Sequence, residues 1–454
     1  MQKKNLLNTF PVACHTDAIE PGGTFVAIKG MQKDGVDFIP QALEKGACTI
    51  VVGTNAVLPA NVEKLIASHG AALVRVSEPR RALAELSAKA SGNPASRLKF
   101  IAITGTKGKS TTTFLVEHLL RTAGLKTALL STVKNKICGV DYPTTLTTQL
   151  PDYLHAFFAQ CVEKGVEWVV MEVAAQAFSL HRVYGLFFEA GIYTNFSREH
   201  GEFYATQEDY FAAKKQLLSQ LKPMAPLLLN RDDKNVAALG ALYEPVFYFD
   251  SNHSYICPQL VGRFNAYNIA AAAALVRALG LPSLNEEILQ QGFLTFPGVP
   301  GRLDRYMLPN GAVAFIDYAH NPASYTAVLT ELRSMTDNLI VMFGAGGDRD
   351  PARRPLMGDI AASLADRVVL TSDNPRSEDP AVITNQILTG VKSVDRHKVV
   401  VELDREKAIH RAYAHSRPGS IIALLGKGPD EYQLVKGVKT RFSEREILMS
   451  LRSL

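Results

Sequence analysis

Short, largely apolar segments alternate along the chain with amphipathic stretches. The clearest apolar segments are TFVAIKG at 24–30, CTIVVG at 48–53 and AALVRV at 71–76. Between them lie stretches with helical spacing of apolar residues, DFIPQALEKGA at 37–47 and the segment near 80–91. Strands that are apolar on both faces and separated by helices are typical of parallel sheets covered on both sides. The pattern therefore predicts an α/β protein.

Two segments rich in proline, glycine and polar residues interrupt this alternation. They are SGNPASR at 91–97 and FPGVPGR at 296–302, and the α/β pattern restarts after each of them. Further strands are predicted at 99–105, 168–173, 191–196, 225–230, 313–318, 339–345, 367–373 and 420–426. A length of 454 residues also favours more than one domain. We predict three α/β domains, 1–95, 96–300 and 301–454.

Composition and charge exclude several classes of protein. The chain is 47% apolar and 20% charged with a net charge of +5, and it has no dense Lys/Arg run, so nucleic-acid binding is not expected. The five cysteines are scattered without a CxxC pair, which argues against disulfides and zinc and favours a reducing compartment. We see no signal peptide and no transmembrane stretch, and we expect a cytoplasmic protein without membrane contact.

The strongest chemical signal is IAITGTKGKS at 101–110. A strand leads into a glycine-rich turn whose N–H groups can surround phosphate oxygens, and the following helix adds its N-terminal dipole. Lys109 would reach the terminal phosphates and the Ser110 hydroxyl would hold magnesium. The general P-loop has glycine where this chain has Ile103, and the match is to a shorter form, GTxGK[ST]. The loop predicts ATP binding, and by itself it leaves an ordinary P-loop ATPase or kinase open.

Five later segments extend this signal over nearly the whole chain. They are EVAAQAFSLHRV at 172–183, TNFSREHGEFY at 194–204, DYFAAKKQLL at 209–218, GRFNAYNIAAA at 262–272 and DYAHNP at 317–322. Together with GTKGKSTTT they resemble the Mur ligase family, which includes folylpolyglutamate synthetase and cyanophycin synthetase. The resemblance implies an N-terminal α/β uridine-binding domain, a central P-loop ATPase domain with a parallel sheet, and a C-terminal Rossmann-like α/β domain.

The family resemblance also implies a reaction and its catalytic residues. ATP converts a carboxylate to an acyl phosphate, and an amine then displaces phosphate, which requires cations and oriented donors at the transferring group. By resemblance, Glu172 binds Mg²⁺ with Ser110, His200 is the histidine of a second metal, and Lys214 is carbamylated by carbon dioxide to become an anionic ligand. The catalytic residues implied are Lys109, Glu172, His200 and Lys214. Outside such matching segments, residues of these kinds are usually structural.

The resemblance places the ATP contacts on two domains. The implied contacts are Gly105, Thr106, Lys107, Gly108, Lys109, Ser110, Thr111, Asn268, Arg302 and Asp317. Arg302 would neutralise phosphate, and Asp317, joined by His320, would close the C-terminal domain onto the nucleotide. ATP contacts on separate domains imply that the two domains close over the nucleotide. This closure would assemble the site and exclude water from the acyl phosphate.

Two segments indicate the incoming amino acid. GAGGDRD at 344–350 and DNPRSEDP at 373–380 resemble the members that add meso-diaminopimelate to UDP-N-acetylmuramoyl-L-alanyl-D-glutamate in peptidoglycan synthesis. The implied amino-acid contacts are Asp373, Asn374, Arg376, Gly426 and Asp430. An arginine fork suits the distal carboxylate of diaminopimelate, which lysine lacks. GKGPDEYQ at 426–433 resembles the family's GKGHE segment, with Pro429 in place of His and Asp430 in place of Glu.

The acceptor end departs further from the family pattern. The implied contacts with the UDP-sugar substrate are Thr16, Thr147, Thr148 and Arg182. The family's Ser-Ser-His is Ala174-Ala175-Gln176 here, and each lost hydroxyl contact can cost about 0.5–1.5 kcal/mol. Two alternatives therefore stay open: a Mur-type ligase for L-lysine or another amino acid or acceptor, and a non-catalytic nucleotide-binding homologue. In each case we expect a monomer that binds small molecules.

Overall fold

The computed structural model describes residues 8–31, 33–199, 201 and 203–451. The described residues form two compact units, one from the residues up to Ile256 with Ala266–Thr295 and the other from Cys257–Asn265 with the residues from Phe296 onward. In the described part of the chain, no helix combines the length and apolarity needed to cross a bilayer. The three predicted domain boundaries stay predictions.

The N-terminal part of the first unit is a four-stranded parallel sheet in the order β1-β2-β3-β4. Its elements are β1 Phe10–Ala13, β2 Ile19–Val26, α1 Ile39–Glu44, β3 Thr49–Gly53, α2 Ala60–Ser68, β4 Ala72–Val76 and α3 Pro79–Ala90. Two expectations are wrong here. The strand predicted at 24–30 ends at Val26, because the chain turns back through bonds from Gly30 N to Lys33 O and from Gly35 N to Ile28 O. Strand β4 is largely exposed rather than covered on both faces, because it is an edge strand.

The larger sheet of the first unit has eight strands in the order β12-β11-β10-β5-β9-β6-β7-β8. Its elements and helices are β5 Lys99–Thr104, α4 Lys109–Thr122, β6 Thr127–Leu130, β7 Asn135–Ile137, β8 Val140–Tyr142, α5 Pro151–Glu163, β9 Trp168–Glu172, α6 Ala175–Ser179, β10 Ala190–Tyr193, α7 Gln207–Lys215, β11 Leu227–Asn230, α8 Lys234–Ala237, β12 Val246–Phe249, α9 Arg263–Leu279 and α10 Glu286–Thr295. The predicted parallel sheet is confirmed from β12 to β6. It is wrong at β7 and β8, which form an antiparallel hairpin because Cys138 and Gly139 both take positive φ in a two-residue turn.

The second unit contains a six-stranded sheet in the order β13-β14-β18-β15-β16-β17, in which β13 alone is antiparallel, and a separate hairpin of β19 and β20. Its elements are β13 Asp304–Met307, β14 Val313–Asp317, α11 Pro322–Arg333, β15 Leu339–Phe343, α12 Arg353–Leu364, β16 Arg367–Leu370, α13 Pro380–Leu388, β17 Val399–Val401, α14 Arg405–Ala414, β18 Ile421–Leu425, β19 Tyr432–Val435, β20 Val438–Arg441 and α15 Glu444–Ser450. Apolar clusters cover both faces of β14, β15, β16 and β18, as their apolar sequences predict.

The connection order places a crevice at the end of β5. From β5 the chain crosses through α4 to β6 on one side of the sheet, whereas β10 pairs with β5 on its other side. In open α/β sheets, ligands bind beyond the carboxyl ends of the strands where the strand order reverses in this way. The topology therefore puts the glycine-rich turn after β5 at the position where a ligand is expected.

A buried ion pair links two strand ends in the second unit. Arg405 is fully buried and donates to Glu444 Oε1 from Nε at 2.9 Å and from Nη2 at 2.8 Å. It also donates to Ser372 O at 3.1 Å and to Leu425 O at 3.0 Å, just after β16 and at the end of β18. The pair thus fixes the starts of two loops that carry predicted site residues.

We expect Arg405→Met to lower the free energy of unfolding by about 3–5 kcal/mol, because it leaves the Glu444 carboxylate buried without its partner. Adding Glu444→Leu should recover most of that loss. Urea unfolding, followed by circular dichroism, measures both changes. The exposed pair Arg81–Glu85 is the matched control, and Arg81→Met should cause no measurable change. A double variant no more stable than Arg405→Met would contradict the account.

Candidate active site

The turn after β5 requires glycine at two positions. Gly105 has φ +139° and Gly108, the residue before α4, has φ +83°. A Cβ on Gly105 would collide with Thr194 Oγ1, and a Cβ on Gly108 would lie 2.5 Å from Asn268 Oδ1. The structure thus brings Asn268, predicted as an ATP contact, directly against the loop. The backbone of residues 105–108 can approach a ligand closely at the helix N-terminus.

The segment that follows β10 holds the loop in place. Thr194 Oγ1 donates to Lys107 O at 2.6 Å, and Asn195 Nδ2 donates to the same oxygen at 3.0 Å. Lys107 N donates to Asn195 Oδ1 at 2.8 Å, and Thr106 N donates to Asn195 O at 2.9 Å. Neither Thr194 nor Asn195 is among the site residues that the sequence predicts. Their position directly after the strand that neighbours β5 was the available signal.

Two lysines meet at one backbone carbonyl of the loop. Lys109 Nζ donates to Gly105 O at 3.0 Å and to Thr106 O at 2.9 Å, and Lys214 Nζ donates to Gly105 O at 2.8 Å. Lys214 is 1% exposed, and its Nζ lies 4.8 Å from the centre of the Tyr210 ring. Burial, reinforced by the Lys109 charge, holds the pKa of Lys214 well below its ordinary value. The predicted lysine pair is therefore brought together at the phosphate loop.

Glu172 ends β9, and its Cα is paired with that of Ile103 in the neighbouring β5. The side chain is 1% exposed, and its two oxygens accept hydrogen bonds from Thr132 N at 3.0 Å and Thr132 Oγ1 at 3.2 Å. Thr148 Oγ1 donates to Glu172 O at 2.9 Å, and Thr147 Oγ1 lies 3.1 Å from Thr132 Oγ1, whose single proton is donated to Glu172. The two threonines predicted to contact the acceptor thus lie beside the predicted metal carboxylate.

The donor set at this edge of the sheet suits magnesium. Glu172 supplies a buried carboxylate with lone pairs beyond those used by Thr132, and Ser110 supplies a hydroxyl in the first turn of α4. Mg²⁺ is commonly bound by one or two carboxylates together with phosphate oxygens and water. Within the described residues, no cluster of three or more His, Cys, Asp or Glu could hold a metal alone. His200 lies outside the described residues, so its predicted role stays a prediction.

The remaining predicted acceptor contacts lie in separate places. Arg182 donates from Nη1 to Thr148 O at 2.9 Å, and its buried Nε has no hydrogen-bond acceptor among the described residues. Thr16 is buried in the turn that follows β1, in the other sheet of the unit. The structure therefore brings Arg182 to the group around Glu172 through the Thr148 carbonyl, and the predicted role of Thr16 stays a prediction.

In the second unit, Asp317 ends β14 and orders the segment beside it. Its two oxygens accept backbone N–H groups at 2.8 Å, one of them from Leu303. Burial raises the pKa of Asp317, against the lowering effect of the nearby Arg302 charge. The Arg302 guanidinium lies 4.9 Å from the centre of the Tyr318 ring, and His320 Nδ1 lies 2.9 Å from Tyr318 O. Arg302, Asp317 and His320, which the family resemblance implies as nucleotide contacts, are thus neighbours in this unit.

The predicted amino-acid contacts converge at the carboxyl ends of β14, β16 and β18. Gly426 has φ +105°, its N–H donates to Asp317 O at 3.0 Å, and a Cβ there would lie 2.9 Å from Asp373 Oδ2. Asn374 Oδ1 accepts a hydrogen bond from Leu434 N at 2.9 Å. The residues predicted at 373–376 and 426–430 therefore lie together at one edge of this sheet.

Arg376 has a positive φ of +53° and a second arginine beside it. Its N–H donates to Leu434 O at 3.0 Å, and its Nη1 donates to Gly347 O at 2.6 Å. A Cβ on Gly346 would lie 2.9 Å from Arg376 Nη1 and 3.8 Å from Arg349 Cγ. Arg349 lies within the GAGGDRD segment but is not among the amino-acid contacts that the sequence predicts. Its position in the loop after the apolar strand at 339–345 was the signal that could have found it.

Asp430 is partly buried near two other ionisable side chains. Burial raises its pKa, whereas the Lys427 charge lowers it, and Asp373 adds a raising effect. The side chain is also hydrogen-bonded to Tyr432. Asp430 is therefore held at the same strand ends as Asp373.

Comparison with known proteins matches three successive parts of the chain to family models. They are "Mur ligase family, catalytic domain" at residues 12–91, "Mur ligase middle domain" at 103–248 and "Mur ligase, glutamate ligase domain" at 301–428. Full-length relatives are 34–36% identical over 94–96% of this chain. The chain belongs to the Mur ligase family. The predicted three-domain α/β architecture of this family is confirmed.

Relatives in the Mur ligase family include UDP-N-acetylmuramoyl-L-alanyl-D-glutamate–2,6-diaminopimelate ligases. The protein of that name from Phocaeicola vulgatus is 35% identical over 95% of this chain and 93% of its own length, and the one from Synechococcus elongatus is 36% identical over 94% and 90%. A solved structure of that name is 25% identical, with a TM-score of 0.65 over 98% of this chain and 95% of its own. A MurF ligase from Thermotoga maritima in complex with ADP, 18% identical over 99% of this chain and 98% of its own, shares the fold with a TM-score of 0.61.

Proposed function

We propose that this chain is an ATP-dependent ligase that adds meso-diaminopimelate to UDP-N-acetylmuramoyl-L-alanyl-D-glutamate in peptidoglycan precursor synthesis. The observation that carries the proposal is that relatives of that name match the chain over 94–96% of its length. The glycine-rich loop at the end of β5, with Lys109 folded over it, supports nucleotide use. We further propose a monomer that acts on these small molecules in the cytoplasm.

The chemistry would proceed in two displacements. A carboxylate oxygen of the acceptor attacks the γ-phosphorus, and the bond to ADP breaks. The amine of the amino acid then attacks the acyl carbon, phosphate leaves, and the amine nitrogen loses a proton. The loop N–H groups and the Lys109 side chain would hold the phosphates in place. The ATP contacts that we propose are Gly105, Thr106, Lys107, Gly108, Lys109, Ser110, Thr111, Asn268, Arg302 and Asp317.

Magnesium would be held by Ser110, Glu172, His200 and a carbamylated Lys214, and when bound it supplies positive charge at the transferring phosphoryl group. The buried carboxylate of Glu172 and the hydroxyl of Ser110 support this assignment. The position of Lys214 Nζ, 2.8 Å from the loop carbonyl of Gly105, also supports it. Unmodified, an ammonium there would repel the metal.

For the amino acid, we propose that the Arg376 guanidinium holds the distal carboxylate, with Arg349 close by. Asp373, Asn374, Gly426 and Asp430 would surround the rest of the molecule. The Arg376 guanidinium and the Arg349 side chain both lie near Gly346, which supports recognition of a carboxylate, and lysine has no carboxylate at its distal end.

A second candidate keeps the chemistry and changes the acceptor. Thr16, Thr147, Thr148 and Arg182 are the contacts that we propose for the UDP-sugar substrate. The segment from Ala174 to Gln176 at the start of α6 lacks the hydroxyls of the family pattern, and Ala174 N donates to Thr148 Oγ1 at 3.1 Å. That difference favours a Mur-type ligase with a modified acceptor as the alternative.

Phosphate release and product mass test the proposal with purified protein, ATP and Mg²⁺. We expect release only when the UDP-muramoyl dipeptide and meso-diaminopimelate are both present, with a product heavier by one diaminopimelate minus water. A Lys109→Ala protein provides the blank. Release with L-lysine but not with diaminopimelate would refute the amino-acid specificity, and release with another acceptor alone would favour the second candidate. No release with any acceptor or amino acid would refute the ligase.

A further inference from the structure

A buried lysine that is not among the proposed substrate contacts lies between the residues that we propose for the amino-acid site. Lys427 is 0% exposed, and its Nζ donates to Asn374 Oδ1 at 3.1 Å and to Tyr432 O at 2.5 Å. The same nitrogen lies 3.5 Å from Asp373 Oδ1, as an electrostatic pair without a hydrogen bond. A buried ammonium is costly unless it is paired and hydrogen-bonded, and here both conditions are met. The arrangement indicates a specific role for this charge.

The partners of Lys427 belong to two different segments. Asp373 and Asn374 begin the DNPR loop after β16, whereas Tyr432 begins the hairpin of β19 and β20. Asn374 Oδ1 also accepts from Leu434 N at 2.9 Å, and Gln433 Nε2 donates to Asp373 O at 3.2 Å. Lys427 therefore lies at the junction between the loop and the hairpin.

The hairpin in turn fixes the backbone of Arg376. Arg376 N donates to Leu434 O at 3.0 Å, and Lys436 N donates to Arg376 O at 2.6 Å. The hairpin forms a two-stranded sheet of its own, separate from the six-stranded sheet. A two-stranded hairpin is marginally stable by itself and needs packing against another element. The bonds through Lys427 supply part of that attachment, and they act on the loop that carries Asp373 and Arg376.

We propose that Lys427 is a positioning residue for the incoming amino acid, which ties the hairpin 432–441 to the loop 373–376 and so orients Asp373 and Arg376. The inference rests on the proposed function, because it assigns the amino acid to this loop. Lys427 would not touch the substrate. Its loss should weaken binding of the amino acid and leave ATP binding unchanged.

Lys427→Met keeps the length of the side chain and removes the charge. We expect the KM for the amino acid to rise about 10- to 100-fold, as for a lost hydrogen bond to a charged group, with the KM for ATP and for the acceptor within about twofold of wild type. Ile409→Ala, a buried substitution on α14, is the control for general destabilisation. It should lower Tm and leave every KM unchanged. An unchanged amino-acid KM in Lys427→Met overturns the proposal.

A second variant and a second measurement keep the test decisive where Lys427→Met yields no folded protein. Gln433→Leu removes one bond between hairpin and loop, and we expect a smaller rise in the amino-acid KM together with faster trypsin cleavage after Lys436 or Lys439. Both lysines are exposed in the hairpin. Wild-type KM and wild-type cleavage in Gln433→Leu overturn the proposal.

The trypsin measurement also separates this inference from the proposed function. A wild-type protein that uses no amino acid refutes the function, and cleavage of the hairpin can still be compared between wild type and Lys427→Met. Faster cleavage in the variant supports the tie between hairpin and loop, and equal cleavage overturns it.

Discussion

Replacing Lys214 by alanine should lower kcat about a thousandfold, which corresponds to roughly 4 kcal/mol of lost transition-state stabilisation. The side chain is buried with its Nζ at the phosphate loop, and burial together with the Lys109 charge holds its pKa well below the ordinary value. The neutral amine that carbon dioxide requires is therefore favoured more at Lys214 than at an exposed lysine. Addition of carbon dioxide would form an N–C bond, release a proton and leave a carboxylate at the magnesium site that we propose. Phosphate release at saturating substrates measures the effect.

The neighbouring Lys215 provides the control for Lys214. It is exposed on the same helix, and Lys215→Ala should retain nearly full activity. Acetate or formate should restore part of the activity of Lys214→Ala, because either can supply the missing carboxylate. A fully active Lys214→Ala enzyme would remove the carbamate from the mechanism. The carbamate would also be removed from the mechanism by a combination of two results. In it, Lys214→Ala is inactive and not rescued by acetate or formate, and the NMR spectrum of the wild-type protein under ¹³CO₂ shows no carbamate resonance.

Arg376→Asn should raise the KM for meso-diaminopimelate by about 10- to 100-fold, since a charge-assisted bidentate contact is worth roughly 1.5–3 kcal/mol. Asparagine tolerates the positive φ of +53° better than most residues, so the change removes the guanidinium with little backbone strain. L-lysine has no carboxylate at the distal carbon. Its low kcat/KM should hardly change, and the preference for diaminopimelate should fall accordingly.

The ratio of kcat/KM for the two amino acids decides what Arg376 does. Arg367 at the start of β16 is exposed, and Arg367→Gln should leave the ratio as in wild type. An equal loss for diaminopimelate and lysine in Arg376→Asn would mean that the residue supports the loop without reading the carboxylate. Arg376→Lys should recover only part of the affinity, because an ammonium cannot make the bidentate contact.

Much of the fold was predictable because the relevant signals are local. The apolar runs at 99–105, 168–173 and 339–345 become buried parallel strands, since a strand covered on both faces needs apolar residues at every position. The glycine-rich turn and Lys109 were predictable for the same reason, because the loop chemistry lies within ten consecutive residues. The antiparallel β7 and β8 were missed, since each has only three residues and no clear period.

Other parts of the site depend on contacts between distant segments. Lys214 donates a hydrogen bond to the carbonyl of Gly105 although 109 positions separate the two residues. Thr194 and Asn195, which follow β10, are hydrogen-bonded to Lys107 of the same loop. Family resemblance pointed to Lys214, but no pattern within its helix places it there. Likewise, the position of Arg349 after a buried strand places it at a sheet edge, but only the fold brings it and Lys427 to the loop 373–376.

By itself, the sequence determined the α/β class, most of the buried strands and the phosphate loop, because hydrophobic burial and turn chemistry act over a few neighbouring residues. Only the tertiary structure decided which side chains share the carboxyl edge of each sheet. The order β10-β5-β9 brings Thr194, Lys214 and Glu172 to the loop, and the order β14-β18-β15-β16 brings Asp317, Gly426 and Asp373 together. Strand order is fixed by how whole helices and sheets pack against each other. The hydrophobic periodicity of a single segment does not indicate which strands will be its neighbours.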